Sequence, residues 1–278
     1  MKFGPGHPLA YPVSVTVGAL AVCLAWAPFA DLDQVAALAT VALGILGYTG
    51  FQLAVALGSL PNGLADIEKR RADGTDAARG DSSTHEDTDD NAGIGSIGGK
   101  STAGASSGGT GTDRNGTDGI AGRDTARTVE IKRVRQQHRL VSRSWLEITE
   151  NYRTRWLPVF FDPALLGMTE TEAEVTDRSV DTATRHLYPS GKARTSEPPG
   201  RLIDNPSRPD PAAPVLATDS ARVRRRLLLD AQSTVAAPFV ALMWVYVAAG
   251  GLTAFLAATT VAAATAVWLA AIRGSDPS

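Results

Sequence analysis

Three stretches of this chain contain no Asp, Glu, Lys or Arg: residues 8–30, 34–65 and 231–272. Their lengths of 23, 32 and 42 residues decide what can fold, because a hydrocarbon core about 30 Å thick is crossed by about 20 helical residues. Each run is long enough for one span and the last is long enough for two. The 27 basic and 29 acidic residues are confined to the remainder, so a mean hydropathy of −0.05 averages a membrane protein with a very polar one. A simple soluble domain is excluded. The formal charge of −2 gives no argument for nucleic acid. A single cysteine, Cys23, excludes a disulfide framework or a cysteine metal site.

The sequence predicts four spans in two hairpins. Residues 13–30 and 34–57 are joined through Asp31, Leu32 and Asp33, and residues 232–249 and 252–272 through Gly250-Gly251. Tyr11, Trp26, Trp244, Tyr246 and Trp268 lie toward span ends, as an interfacial aromatic belt requires. Lys69, Arg70 and Arg71 follow the second span and Arg222, Arg224, Arg225 and Arg226 precede the third, while the short turns carry no basic residue. The positive-inside rule then puts the large loop and both termini, 1–12 and 274–278, in the cytoplasm of a multi-pass cell-membrane protein such as one of a bacterial inner membrane. Pro28 directly after Ala25-Trp26-Ala27 argues against a cleaved signal, and Val22 before Cys23 against a lipoprotein box.

No ionisable side chain lies within a predicted span, which argues against a pump. Small residues form stripes instead: Gly44, Gly47 and Gly50 on the second span, and Ala254, Ala258, Ala262, Ala266 and Ala270 on the fourth. Spacings of three and four keep each stripe on one helical face. Gly44, Gly47, Gly50, Ala258, Ala262 and Ala266 are therefore candidate helix-packing residues, within one bundle or between copies in a homo-oligomer.

Residues 59–128 read as a linker. Within them, 72–128 hold thirteen glycines and only Ile94, Ile97 and Ile120 as large apolar side chains, too little to offset the entropy of ordering, which predicts disorder. Gly93-Ile94-Gly95-Ser96-Ile97-Gly98 matches a dinucleotide fingerprint and Gly99-Lys100-Ser101 the end of a P-loop. The polar residues before them cannot form the strand that either motif needs, and the first P-loop glycine is replaced by Ile94. No nucleotide cofactor is expected.

A small cytoplasmic α+β module is predicted over 129–205. Ile131, Val134, His138, Val141, Trp145, Ile148 and Tyr152 follow a 3-4 spacing, the pattern of an amphipathic helix stopped before Pro158. That helix is basic, and it can dock on the module, pair as a short coiled coil or lie on anionic lipid. Arg133, Arg135, Arg139, Arg143 and Trp145, with Arg222, Arg224, Arg225 and Arg226, are the candidate contacts to a protein partner or to anionic headgroups. His138 is read as a partly buried, hydrogen-bonded histidine, because His7, His85 and His186 offer no ligand spacing with it. Residues 156–161, an alternating Glu170, Glu172 and Glu174, and a return strand over 180–188 form the β-rich part, with the three carboxylates on a solvated face. Residues 206–219 read as a proline-rich tether, and Asp219 or Ser220 as the cap of a helix running through the arginines into the third span.

The segments Arg155-Trp156-Leu157-Pro158-Val159-Phe160-Phe161-Asp162-Pro163, Leu187-Tyr188-Pro189-Ser190-Gly191 and Glu197-Pro198-Pro199-Gly200-Arg201-Leu202 resemble a family of uncharacterised actinobacterial four-span membrane proteins with the same hairpin, loop, hairpin layout. The resemblance implies that layout and no activity, since the family has no known function. The sequence thus points to a non-enzymatic membrane scaffold or adaptor presenting a cytoplasmic module, with no cofactor or nucleic-acid partner. Its alternatives are an accessory subunit of a transport or envelope-synthesis complex, or an enzyme with its site in 129–205.

Overall fold

The charge-free runs fold as helices. In the computed structural model, which describes residues 7–64, 126–150 and 153–278, the first hairpin is α1 (Ala10–Trp26) and α2 (Leu32–Ala56). Asp31 starts the second of these, its carboxylate accepting from the Gln34 amide at 2.8 Å and satisfying one free amide of the helix start. Further along, α3 (Ala213–Ala221) and α4 (Val223–Asp230) meet at an elbow where Arg222 has ψ 120°. A 3-10 stretch over Ala231–Ala236 leads to α5 (Ala237–Ala248), with Pro238 in its first turn, and then to α6 (Leu252–Ile272). Four stretches, Ala10–Phe29, Leu32–Ala56, Val223–Ala248 and Leu252–Ile272, are long and apolar enough to cross a membrane.

Two expectations are corrected here. The tether does not extend to residue 219, because α3 occupies its second half. The helix through the arginines begins only at Val223, with no side-chain cap from Asp219 or Ser220; Asp219 pairs instead with Arg222 across the elbow at 3.1 Å.

The larger correction concerns the basic amphipathic helix over 129–155. Those residues form an antiparallel hairpin of β1 (Arg127–His138) and β2 (Val141–Glu150), with Glu130 opposite Thr149 and His138 opposite Val141. Pro158 ends no helix but sits in β3 (Arg153–Val159), where its carbonyl accepts from the Ser190 amide. Its missing N–H faces the sheet edge and leaves the ladder to β2 intact. The 3-4 spacing arose because the hairpin buries apolar side chains on both faces. Ile131 and Ile148 point to one side, Val134 and Trp145 to the other, and two period-2 patterns superposed imitate a helical stripe.

The sheet continues through β4 (Thr171–Val175), β5 (Val180–Thr182), β6 (His186–Leu187) and β7 (Arg201–Asp204), in the order β3-β2-β1-β4-β5-β6 with β7 beside β1. β1 is long enough to pair β4 with its first half and β7 with its second. Isolated bridges from Trp156 to Arg194 and from Val159 to Pro189 tie the segment after β6 back to the β3 edge, giving a half-barrel. On β4 the expected alternation holds: Ala173 and Val175 are buried, Glu172 and Glu174 exposed. The expected return strand over 180–188 is split into β5 and β6 by a turn.

Inside the half-barrel lie Ile131, Leu146, Ile148, Leu157, Val159 and their neighbours, with Leu64 closing one end. On the outer face Val134, Trp145, Trp156 and Leu202 form a second cluster. The helices pack around Ala19, Cys23, Ile45, Trp268 and Ile272. Tyr11 and Trp268 are buried and hydrogen-bonded to Asp230 and Thr49, so they anchor the interior and do not belong to an aromatic belt. Trp244 and Tyr246 are exposed. Residues 65–125 of the expected linker, with its phosphate-binding look-alikes, lie outside the described residues; the linker is shorter than the expected 59–128, because residues 59–64 bond back to the half-barrel through Asn62, and Arg127 and Thr128 belong to β1.

Candidate functional site

The ends of the helices meet the half-barrel at a buried polar junction. Three local features build it. First, α2 passes directly into Pro61-Asn62-Gly63-Leu64. Asn62 is fully buried; its amide donates to the Asp177 carbonyl and its own carbonyl accepts from the Ala193 amide, both at 2.8 Å. Gln52 on α2 donates to the Ser190 carbonyl at 3.2 Å, and Leu9 and Ala56 pack on Phe160.

Second, the C-terminal residues re-enter the module. Gly274, with φ +77°, turns the chain out of α6 where a Cβ would stand 2.7 Å from Ser190 Oγ and 3.0 Å from the Val159 carbonyl, a conformation and a clearance that favour glycine. Ser275 then bridges Arg143 on β2, and the Asp276 amide donates to the Ser142 carbonyl at 2.9 Å.

Third, charged groups are buried in this seam. Arg133 Nη2 donates to Asp276 Oδ2 at 2.6 Å, with the two side chains 3% and 0% exposed. Ser144 Oγ donates to the same oxygen at 2.6 Å, and Arg133 Nη1 donates to Asn205 Oδ1 at 2.8 Å. Burial pushes the Asp276 carboxyl up, but Arg133 and the Ser144 and Ser278 donors outweigh it and hold the group below the usual carboxylate range. Alongside, Asp230 Oδ2 accepts from Tyr11 at 2.6 Å and from Ser275 at 3.0 Å, and the Arg226 guanidinium lies 4.0 Å from the Tyr11 ring centroid. This set ties α1, α4, β1, β2 and the C-terminal residues together through charge-assisted bonds.

The nine candidate contact residues divide between surface and interior. Arg222, Arg224 and Arg225 are exposed around the elbow, beside exposed Val223, Leu227 and Leu228. Arg139 is exposed at the β1–β2 turn, where φ is +55°. Arg135 and Arg143 are half-buried, with burial lowering the affinity of both guanidinium groups for their protons. Arg133, Trp145 and Arg226 are buried. Arg133 and Trp145 lie in the paired strands β1 and β2, and Arg226 packs over the Tyr11 ring, so the side chains of all three are turned inward.

The small-residue stripes also separate. A Cβ added at Gly44, Gly47 or Gly50 would meet nothing within 4 Å, so that stripe faces away from the bundle. Ala258, Ala262 and Ala266 line a cavity between helices.

Sequence reasoning missed a further constellation besides this junction. His7 and His186, with no shared spacing, are brought to either side of Tyr188: the Tyr188 hydroxyl is 3.2 Å from His7 Nε2, and the His186 ring lies 4.6 Å from the Tyr188 ring, edge on. His186 Nδ1 is 2.6 Å from Asp181 Oδ1. Burial lowers the His7 pKa, against an opposing pull from Asp162. No group of three or more His, Cys, Asp or Glu among the described residues could hold a metal ion. Glu130, Glu170 and Glu172 line an open polar cleft of about 380 Å³ on the β1–β4 face. No family model, curated protein or solved structure matches the chain, and nothing in those comparisons bears on the resemblance drawn from the sequence.

Proposed function

We propose that the chain is a non-enzymatic multi-pass scaffold of a bacterial cell membrane, which holds a cytoplasmic half-barrel in fixed register with its helices and presents it to a protein partner. The observation that carries this reading is the buried junction. A tethered module that only had to be nearby would need one linker, whereas here both hairpins and the C-terminal residues are locked to the sheet by Asn62, Asp276 and Asp230. Rigid coupling of this kind transmits position between a bilayer and whatever docks on the module.

Arg222, Arg224 and Arg225 flank the helix ends on the module side, together with exposed Leu227 and Leu228. They suit an anionic headgroup layer, each worth about 1 kcal/mol near such a surface. By the positive-inside rule this is the cytoplasmic side. The accessory-subunit alternative is the same reading with the partner named as a transport or envelope-synthesis complex. An enzyme reading has one observation in its favour, the Asp181–His186 pair beside Tyr188, which has the geometry of an oriented general base.

Two cysteine substitutions test sidedness in a Cys23→Ala background. A membrane-impermeant thiol reagent applied to intact cells is expected to label position 33 and to spare position 207. Labelling of 207 with protection of 33 inverts the topology. Crosslinking in native membranes then identifies the partner by mass spectrometry; retention of monomer alone, across crosslinkers of several lengths, rejects the scaffold reading.

A further inference from the structure

Between the two helical hairpins, at the end away from the half-barrel, lies a groove of about 690 Å³. Its walls include Leu38 and Val41 on α2 and Val240 and Trp244 on α5, and its floor is the alanine face of α6, with Ala258 and Ala262 at its centre. No Asp, Glu, Lys, Arg or His lines it. Volume, shape and charge together identify an occupant.

The floor extends from Thr253 to Leu269, about 24 Å of helix at 1.5 Å per residue. That length and the wholly uncharged lining fit one extended hydrocarbon chain. The mouth adds a second constraint. Ala30 and Gln34 line it on either side of the turn that carries Asp31 and Asp33, both exposed. Two carboxylates at the headgroup level repel an anionic lipid and attract an ammonium group.

We propose that this groove is a lipid site, holding one hydrocarbon chain of an aminophospholipid along the alanine floor with its ammonium headgroup at the Asp31–Asp33 turn. The alanines act by their smallness: they keep the floor low enough for a chain to lie between α2 and α5, which explains why α6 carries them on a face with no helix opposite. The proposal rests on the membrane reading, so extraction of native membranes with alkaline carbonate is run in parallel. Release of the chain into the supernatant would reject the membrane reading itself, independently of the groove.

The test uses the full chain in bilayer nanodiscs containing a phosphatidylethanolamine probe with a diazirine on its chain, with adducts mapped by mass spectrometry. Adducts are expected to concentrate several-fold on 254–266 relative to the exposed exterior positions Val17 and Leu43. The ethanolamine probe should exceed the equivalent anionic glycerol probe by about fivefold, the equivalent of about 1 kcal/mol for one ion pair, and Asp33→Asn should reduce that preference. Ala258→Phe and, as a smaller change, Ala262→Leu should abolish the enrichment. Gly47→Phe, on a face with no neighbour, should leave it unchanged. Uniform labelling of floor and exterior in the unsubstituted protein overturns the site, as does a protein–protein adduct at the floor. Equal labelling by both probes overturns the headgroup assignment.

Discussion

Replacing Asp276 by Ala is expected to destabilise the protein by about 3–5 kcal/mol, because it leaves a buried guanidinium without its counter-charge. Arg133 would keep its bonds to Asn205 Oδ1 and Ser144 Oγ, but neither neutralises it, and its side chain is only 3% exposed. The loss should appear as a lowered unfolding temperature of the full chain in detergent. The double variant Arg133→Met, Asp276→Leu should recover at least half of it, since removing both charges also removes the desolvation cost. A loss below about 1 kcal/mol for Asp276→Ala would mean that the pair is held for specificity and not for stability.

The same pair gives a pH dependence of defined sign. Asp276 is held below its ordinary range in the folded protein, so its contribution is fully present above the unfolded value of about 3.9 and is lost as pH falls through the lower folded value. Unfolding should therefore steepen below about pH 4, and this part of the acid response should vanish in the double apolar variant. An unchanged acid profile in that variant would transfer the effect to other carboxylates.

What could be read from the sequence follows from how local each signal is. The four long apolar helices were legible because they depend on composition over some twenty consecutive residues. Asp31 and Gly250-Gly251 marked the two hairpin turns, and the alternation of Glu172, Ala173, Glu174 and Val175 marked β4. The β1–β2 hairpin was not legible. Its turn, Arg139-Leu140, contains no Gly, Asn or Asp, although Arg139 adopts φ +55°, and its two-sided burial gave the wrong period. The junction was hidden for a different reason. Arg133 and Asp276 are 143 positions apart, and Tyr11 and Asp230 are 219. No window along the chain contains both members of either pair, and five C-terminal residues with no periodicity gave no sign that they complete a sheet.

Trp145→Ala is the second substitution with a large expected effect, and it distinguishes an interior hairpin from an exposed one. Trp145 is 5% exposed and packs with Val134, Trp156 and Leu202 on the outer face of the sheet. Its indole N–H donates to Gln136 Oε1 at 2.8 Å, and the Arg194 guanidinium stands 5.8 Å from its ring centroid. Truncation should cost about 3–5 kcal/mol, the range for removing a buried large aromatic from a packed cluster. Trp145→Phe retains most of the ring but strands the Gln136 acceptor, and should cost about 1–3 kcal/mol. The ordering of the two variants matters more than either value, because it separates packing from the hydrogen bond. If Trp145→Ala instead melts near the parent protein while its crosslinks to a partner in native membranes disappear, the β7 side of this cluster opens in the cell and the ring is itself the docking surface. If both stability and crosslinks survive, neither the cluster nor this face of the hairpin contributes to the scaffold, and the partner must dock on the exposed elbow around Arg222, Arg224 and Arg225.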